Sequence, residues 1–358
     1  MAGKTLSPRV MAIAADLLKV AAEQISVTQL TGDASTRVYY RAAGADSSAI
    51  ISIYEQPFDS EESASARLDR LASSNPSARL TFASDPCAQI ETTDLFLKAD
   101  LPVPPIIAVS GADSAVFIED VGDIKLQDWL AGRSEREIEE AYFQAIELIV
   151  RIQEATPRAA GSICSRLAFD EAKLRWELGF FFAHYFNRYL KVKLDPSTSN
   201  AVEEDFKALC SELASRRRAL THRDYHARNL MVWDGRIFMI DYQDARMGPE
   251  SYDLASLLYD PYTNLSTDAV DSLTEKFIES KSRSGLPLSD IDGFREELKL
   301  MTVQRMLKAI GTYSYQAAVK ENRVYVRYIA PALDRATEAM KSLGRFPRTR
   351  GLLEATRQ

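Results

Sequence analysis

Two short apolar runs, Leu230 to Trp233 and Ile237 to Ile240, flank the pair Asp234-Gly235, and this pattern restricts the chain more than any other stretch. An Asp-Gly pair between strand-like runs supplies the positive φ angles that a tight type I′ turn requires, so the segment predicts a β-hairpin. Polar residues stand at both of its ends. Asp224 and Asn229 precede the first strand and Asp241 follows the second, so closing the hairpin is expected to return all three to one end. One carboxylate able to act as a base and two oxygen ligands for a metal converge there.

Phosphoryl transfer needs such a set: a carboxylate at the attacking hydroxyl, and oxygen ligands for the magnesium ion that rides on the nucleotide phosphates. The order His222-Arg223-Asp224, four residues, Asn229 matches the catalytic-loop pattern of kinases, and Asp241 stands where the second metal ligand is expected. Asp224 is therefore read as the catalytic base and Asn229 with Asp241 as Mg2+ ligands. Ordinary turn chemistry explains each of these residues singly but not their joint spacing.

Three pieces of this stretch, His222 to Asn229, Ile240-Asp241-Tyr242-Gln243-Asp244 and Tyr252-Asp253-Leu254-Ala255, together resemble the aminoglycoside phosphotransferase and choline kinase family. Gly32-Asp33-Ala34-Ser35 with Arg37 and Tyr40, and Asp241 through Ala245, look most like the bacterial cell-wall amino-sugar kinases that phosphorylate the anomeric hydroxyl. The resemblance implies an α+β, protein-kinase-like fold: an antiparallel-sheet lobe over 1–120 and a larger helical lobe over 121–358, with ATP and Mg2+ between them. It also implies nucleotide contacts at Gly32, Ala34, Ser35 and Thr36, in a loop whose backbone amides approach the phosphates, and at Glu119, Asp120 and Val121, in the interlobe linker. Tyr225 and Tyr242-Gln243-Asp244 separate the chain from eukaryotic protein kinases.

One departure is plain. The strand expected over Ala49 to Tyr54 carries no lysine, although kinases usually place their phosphate-binding lysine there. Arg37 or Arg41 is the available replacement, and Arg37 is preferred. Glu91, in a helix expected over Gln89 to Lys98, stands where that lysine's usual partner belongs, and reads as a solvated helix residue. The Ser-, Ala- and Asp-rich stretch from Ser60 to Asp85 reads as a mobile or weakly helical insertion.

The second half of the chain reads as mostly helical. Apolar residues at helical period fill Ser134 to Ala155, and Phe169 to Leu190 is dense in aromatics. Most of that second stripe is core. Arg175, Trp176 and Glu177 within it, and Asp244, are candidates to hold an acceptor sugar, because sugars stack through C–H faces and hydrogen-bond through their rims. His184 reads as a packing residue. His222 and Asp253 read as structural support, Asp253 by capping its helix or accepting loop amides, and His226 as orienting the loop. Glu203 to Arg218, Asp268 to Ser282, Ile291 to Ala318 and Tyr325 to Leu343 are expected helices, with a basic tail over Gly344 to Gln358.

Composition excludes some alternatives. A net charge of −7 over 358 residues argues against a general nucleic-acid surface. Cys87, Cys164 and Cys210 show no metal-binding or disulfide spacing and read as buried free thiols in a reducing cytoplasm. No run approaches the roughly 20 apolar residues that span a bilayer, and neither a membrane partner nor an oligomeric state follows from the sequence. The expected partner is a small-molecule sugar acceptor. An aminoglycoside, choline or another small alcohol is the second reading, and a non-catalytic nucleotide-binding regulator the third.

Overall fold

A computed structural model of the chain describes residues 6–30, 37–82 and 85–357. The phosphate-loop candidates Gly32, Ala34, Ser35 and Thr36 lie outside the described residues. In chain order the elements are α1 (Pro8–Leu18), β1 (Ser26–Leu30), β2 (Val38–Ala43), β3 (Ser48–Ile53), α2 (Ala64–Ser74), α3 (Ala78–Thr81), α4 (Pro86–Lys98), β4 (Ile106–Ser110) and β5 (Ala115–Glu119). Then come α5 (Leu126–Trp129), α6 (Glu135–Glu154), α7 (Ile163–Arg166), α8 (Glu171–Phe182), α9 (Pro196–Ser215), β6 (Arg218–Thr221), β7 (Leu230–Trp233), β8 (Arg236–Met239) and β9 (Arg246–Pro249). The chain continues through α10 (Tyr252–Leu258), α11 (Thr267–Arg283), α12 (Ile291–Ala318), α13 (Ile329–Leu343) and α14 (Pro347–Ala355). This is the expected α+β arrangement, an antiparallel sheet followed by a helical region.

The elements form two compact units. One comprises Met1–Ile124, Arg158–Arg166 and Met231–Ala245; the other Lys125–Pro157, Leu167–Leu230 and Arg246–Gln358. The smaller unit is built on a five-stranded antiparallel sheet of order β1-β2-β3-β5-β4. Alternation along its strands presents Tyr40 and Ala42, Ala49 and Ile51, and Ala115 and Phe117 to one face, where Val10, Ala14 and Leu18 of α1 cover them. The opposite face carries Arg37 and Tyr39 at the start of β2, whose ring and guanidinium stack 5.6 Å apart.

Within the stretch over Ser60 to Asp85, read as a mobile or weakly helical insertion, helices α2 and α3 form. Ser63 caps α2 by accepting the amide of Ala66, and Ala64 and Leu68 are buried. Arg166 of α7 makes two bonds to Asp69, at 2.6 and 2.9 Å, and Arg67 pairs with Asp85. Glu91, expected in solvent, is instead half-buried in α4 and accepts two backbone amides: Ala64 at the start of α2 (3.2 Å) and Ile163 at the start of α7 (2.6 Å). Unpaired amides at helix N-termini attract a carboxylate, and Glu91 serves two at once.

In the larger unit, α6 begins with a capping box between Ser134 and Glu137, as its sequence suggests. The helix expected over Glu203 to Arg218 starts earlier, at Pro196, and ends at Ser215, which leaves Arg218–Thr221 as strand β6 paired with β9. The long helix expected to Leu190 changes to a π-helix over Ala183–Leu190, and the one expected from Tyr325 opens with a 3-10 segment over Arg323–Tyr328. The tail after Gly344 is helical too, because Pro347 starts α14 and Leu353 buries it. Helices α8 and α12 approach closely: a Cβ on Gly311 would stand 2.7 Å from the Cα of Phe181, so the side chains beside that contact are brought together. The three cysteines are free and buried. No helix among the described residues is long and apolar enough to cross a membrane.

Candidate functional site

The hairpin forms as its Asp-Gly pair requires. Asp234 and Gly235 adopt φ of 49° and 71°, and they join β7 to β8. Among the other non-glycine residues with positive φ are Arg223 at 83°, just before Asp224, and Asp241 at 62°. Such angles cost energy for residues with a Cβ and persist where surrounding contacts hold them. Both lie at the candidate chemistry.

In the larger unit the loop from His222 to Asn229 is held from several sides. Asp253, buried at the start of α10, accepts the amides of His222 (2.7 Å) and Arg223 (3.0 Å). Asp260 accepts the amides of Ala227 (2.9 Å) and Tyr262 (2.8 Å). The buried Tyr225 hydroxyl donates to the Ala145 carbonyl at 2.8 Å. His222 is buried edge-on against Tyr225, and His226 lies edge-on to Tyr262. Burial pushes the Asp253 carboxyl up to about 7 against the opposing pull of the two amides.

Asp224 projects from this loop into a basic setting. Lys308 of α12 donates to its carboxylate at 2.7 Å, Arg223 at 3.0 Å, and Arg305 approaches at 3.5 Å. Burial alone would raise its pKa, but Arg223, Lys308 and Arg305 hold it well below the usual carboxylate range. Behind this layer Glu177 of α8 lies buried, 3.6 Å from Arg223 and 3.7 Å from Lys173, and accepts from Gln304 at 2.9 Å. Burial opposes its charge too, yet Lys173, Lys308 and Arg223 keep it ionised, with a pKa of about 2. Asn229 donates its side-chain N–H to the Asp224 carbonyl at 2.9 Å.

In the smaller unit Asp241 carries its own counter-ion. The Arg37 guanidinium, almost fully buried, reaches Asp241 Oδ1 at 2.9 Å, and Gln243 donates to the same oxygen at 2.8 Å. Burial works against the charge of Arg37, and Tyr39 and Asp241 outweigh it, so the residue stays cationic. Arg41, the other candidate for the missing lysine, is committed elsewhere: it forks onto Asp120 at 2.6 and 3.0 Å and bonds Asp123 at 2.6 Å. Asp120 also accepts from Ser48 (2.7 Å) and the Gly122 amide (3.0 Å), so its side chain shapes the linker between Glu119 and Gly122. Val121 and Asp244 are buried.

Arg175, Trp176 and Glu177 are not brought together. Two residues apart on a helix face different ways, and here Glu177 turns inward to Arg223 while Arg175 turns to Glu203 and Glu171 on the surface. Trp176 is 39% exposed and stands beside Phe180. His184 packs between Phe180 and Tyr315. Sequence reasoning missed Lys308, Arg305 and Asp260, which approach the loop from segments with no motif of their own.

The donor chemistry fits a hard divalent cation. Taken singly, the Asp241 carboxylate of the smaller unit and the Asn229 amide of the larger are oxygen donors of the kind magnesium takes when substrate phosphates and water complete its shell. Among the described residues no group of three His, Cys, Asp or Glu forms an all-protein metal cage.

Residues 26–283 match the model of the phosphotransferase enzyme family, described as APH. A curated Pseudomonas aeruginosa protein, N-acetylmuramate/N-acetylglucosamine kinase, is 28% identical over 226 residues, 63% of this chain and 64% of its own length. The chain thus spans just under two thirds of that relative. A Pseudomonas putida protein of the same name is 26% identical over 81% of this chain and 76% of its own length. Among solved structures, a choline/ethanolamine kinase family protein from Mesorhizobium loti superposes with a TM-score of 0.58 at 14% identity, covering 98% of this chain and 100% of its own. The fold is protein-kinase-like.

Proposed function

We propose, from the premise that this chain belongs to the phosphotransferase enzyme family, that it transfers the γ-phosphoryl group of ATP to the anomeric hydroxyl of an N-acetyl amino sugar, N-acetylmuramate or N-acetylglucosamine. The observation that carries this reading is Asp224: a carboxylate on a braced, strained loop, surrounded by Arg223, Arg305 and Lys308. A cationic acceptor such as an aminoglycoside or choline meets repulsion there. A neutral or anionic sugar does not. The names of the two Pseudomonas relatives point the same way.

In this mechanism Asp224 accepts the hydrogen bond of the acceptor hydroxyl and aims its oxygen at the γ-phosphorus. As the new O–P bond forms, the bond to the β–γ bridging oxygen breaks, ADP leaves with that oxygen, and the hydroxyl proton passes to Asp224. The cations around Asp224 make it a weak base. That suits a loose transition state in which the proton leaves late, so Asp224 contributes chiefly by orientation. Asn229 and Asp241 would hold Mg2+, which supplies charge neutralisation for the phosphates when bound. Arg37 supplies the cation that β3 lacks, and the backbone of Glu119 to Val121 is assigned to the adenine.

The test is product identity. N-acetylglucosamine and N-acetylmuramate incubated with magnesium-ATP should give sugar 1-phosphates by 31P and 13C NMR, while the 1-O-methyl glycosides remain unmodified. Phosphorylation of a methyl glycoside at a comparable rate would move the reaction to another hydroxyl.

A further inference from the structure

Three polar side chains of the Asp224 cluster are within reach of solvent: Asp224 itself (18% exposed), Lys308 (17%) and Arg223 (16%). Arg305 (6%), Lys173 (3%) and Glu177 (1%) are sealed beneath them. A molecule that approaches Asp224 therefore meets two cations in the same step. The buried layer is not short of positive charge either, because Arg246 is also buried and is influenced by both Glu177 and Asp224. Three cations, Lys308, Arg223 and Arg305, thus meet at the one carboxylate of Asp224. Concentrating like charge away from water is costly unless an anion relieves it.

We propose that Lys308, with Arg223 beside it, recognises a carboxylate carried by the acceptor and sets a preference for N-acetylmuramate over N-acetylglucosamine. The two sugars differ by one lactyl ether, which ends in a carboxylate, so a single cation can separate them. The flexible four-carbon stem of Lys308 lets its ammonium keep contact with Asp224 or turn to a neighbouring anion, whereas Arg305 is fixed by its bond to the Tyr252 hydroxyl at 2.9 Å. Its place on α12, opposite α8 at the Gly311 contact, fixes the base of that stem. The proposal rests on the amino-sugar reading above and adds to it the residue that discriminates.

The experiment compares the wild-type chain with Lys308→Gln and Lys308→Arg, for each sugar, by calorimetric binding without nucleotide and by steady-state kinetics. Lys308→Gln should weaken N-acetylmuramate binding roughly tenfold or more beyond whatever loss it causes for N-acetylglucosamine, with the ratio of kcat/KM values falling accordingly. Lys308→Arg should keep most of the preference, which also shows that the position tolerates replacement. Equal losses for both sugars would make Lys308 a general support of Asp224 and overturn the proposal. A weakened ATP affinity with both sugars unaffected would assign the cation to a phosphate and overturn it as well. If the wild type phosphorylates neither sugar, the amino-sugar reading falls and this proposal with it.

Discussion

The Asp253 carboxylate accepts the amide of His222 at 2.7 Å, and through it the helix start at α10 holds the approach to Asp224. With its second oxygen on the Arg223 amide, one side chain maintains the positive φ of Arg223. Asp253→Ala would leave two buried amides without acceptors, at a cost of roughly 2–4 kcal/mol. Denaturant unfolding should show that loss, together with a fall in kcat. Asp253→Asn, which keeps one acceptor oxygen, should recover part of both.

Asp224→Asn should retain the fold and ATP binding while lowering kcat about a hundredfold or more, since the hydroxyl loses its proton sink and meets a neutral amide that keeps only one acceptor oxygen. Single-turnover kinetics with saturating sugar separates this from a binding defect. Turnover near the wild-type rate would take Asp224 out of the chemistry.

Asp241→Ala should raise the magnesium concentration needed for half-maximal rate, because an oxygen ligand disappears. It also removes the partner of the buried Arg37. Thermal unfolding without metal should therefore begin at lower temperature. An unchanged magnesium dependence would argue against the ligand role.

Acceptor preference should depend on pH in one direction. Burial draws the Lys308 ammonium down to about 8, with Arg305 and Arg223 adding to the effect and Asp224 and Glu177 resisting it. Below that pH the cation is present, so the ratio of kcat/KM for N-acetylmuramate over N-acetylglucosamine should be flat. Above it the ratio should decline toward that of Lys308→Gln. The linkage sign for stability is opposite: between about 8 and the ordinary lysine value of 10.5 the unfolded chain holds the extra proton, so this residue adds stability as pH rises.

Far from the loop, Lys281 lies buried with its ammonium on Glu250 and Gln153, both at 2.8 Å. Lys281→Met would leave the Glu250 carboxylate with the exposed Arg217 at 3.9 Å in place of a buried ammonium and cost roughly 3–5 kcal/mol. Chemical denaturation measures it. Kinetic constants of the remaining folded enzyme should stay close to wild type.

What could be read from the chain alone was local. The Asp234-Gly235 hairpin, the Ser134 capping box and the bounds of α12 all follow from signals within a few residues of the element concerned. Lys308 and Arg305 could not be found that way. They approach Asp224 across 84 and 81 positions, through a contact set by α8 packing on α12. Strands β6 and β9 are four residues each and gain their identity from pairing with one another and, for β9, with the segment around Ala168. The grouping of Arg175 with Glu177 is different: residues two apart on a helix lie on separate faces, and here one turns to Glu203 and the other to Arg223.

Glu91 carries a consequence for control. In kinases that switch by moving a helix, the helix glutamate must travel to and from a strand lysine. Here the strand has no lysine, and the glutamate is tied to the first turns of α2 and α7. Displacing α4 would strip both helices of their acceptor at once, so the toggle is replaced by a rivet.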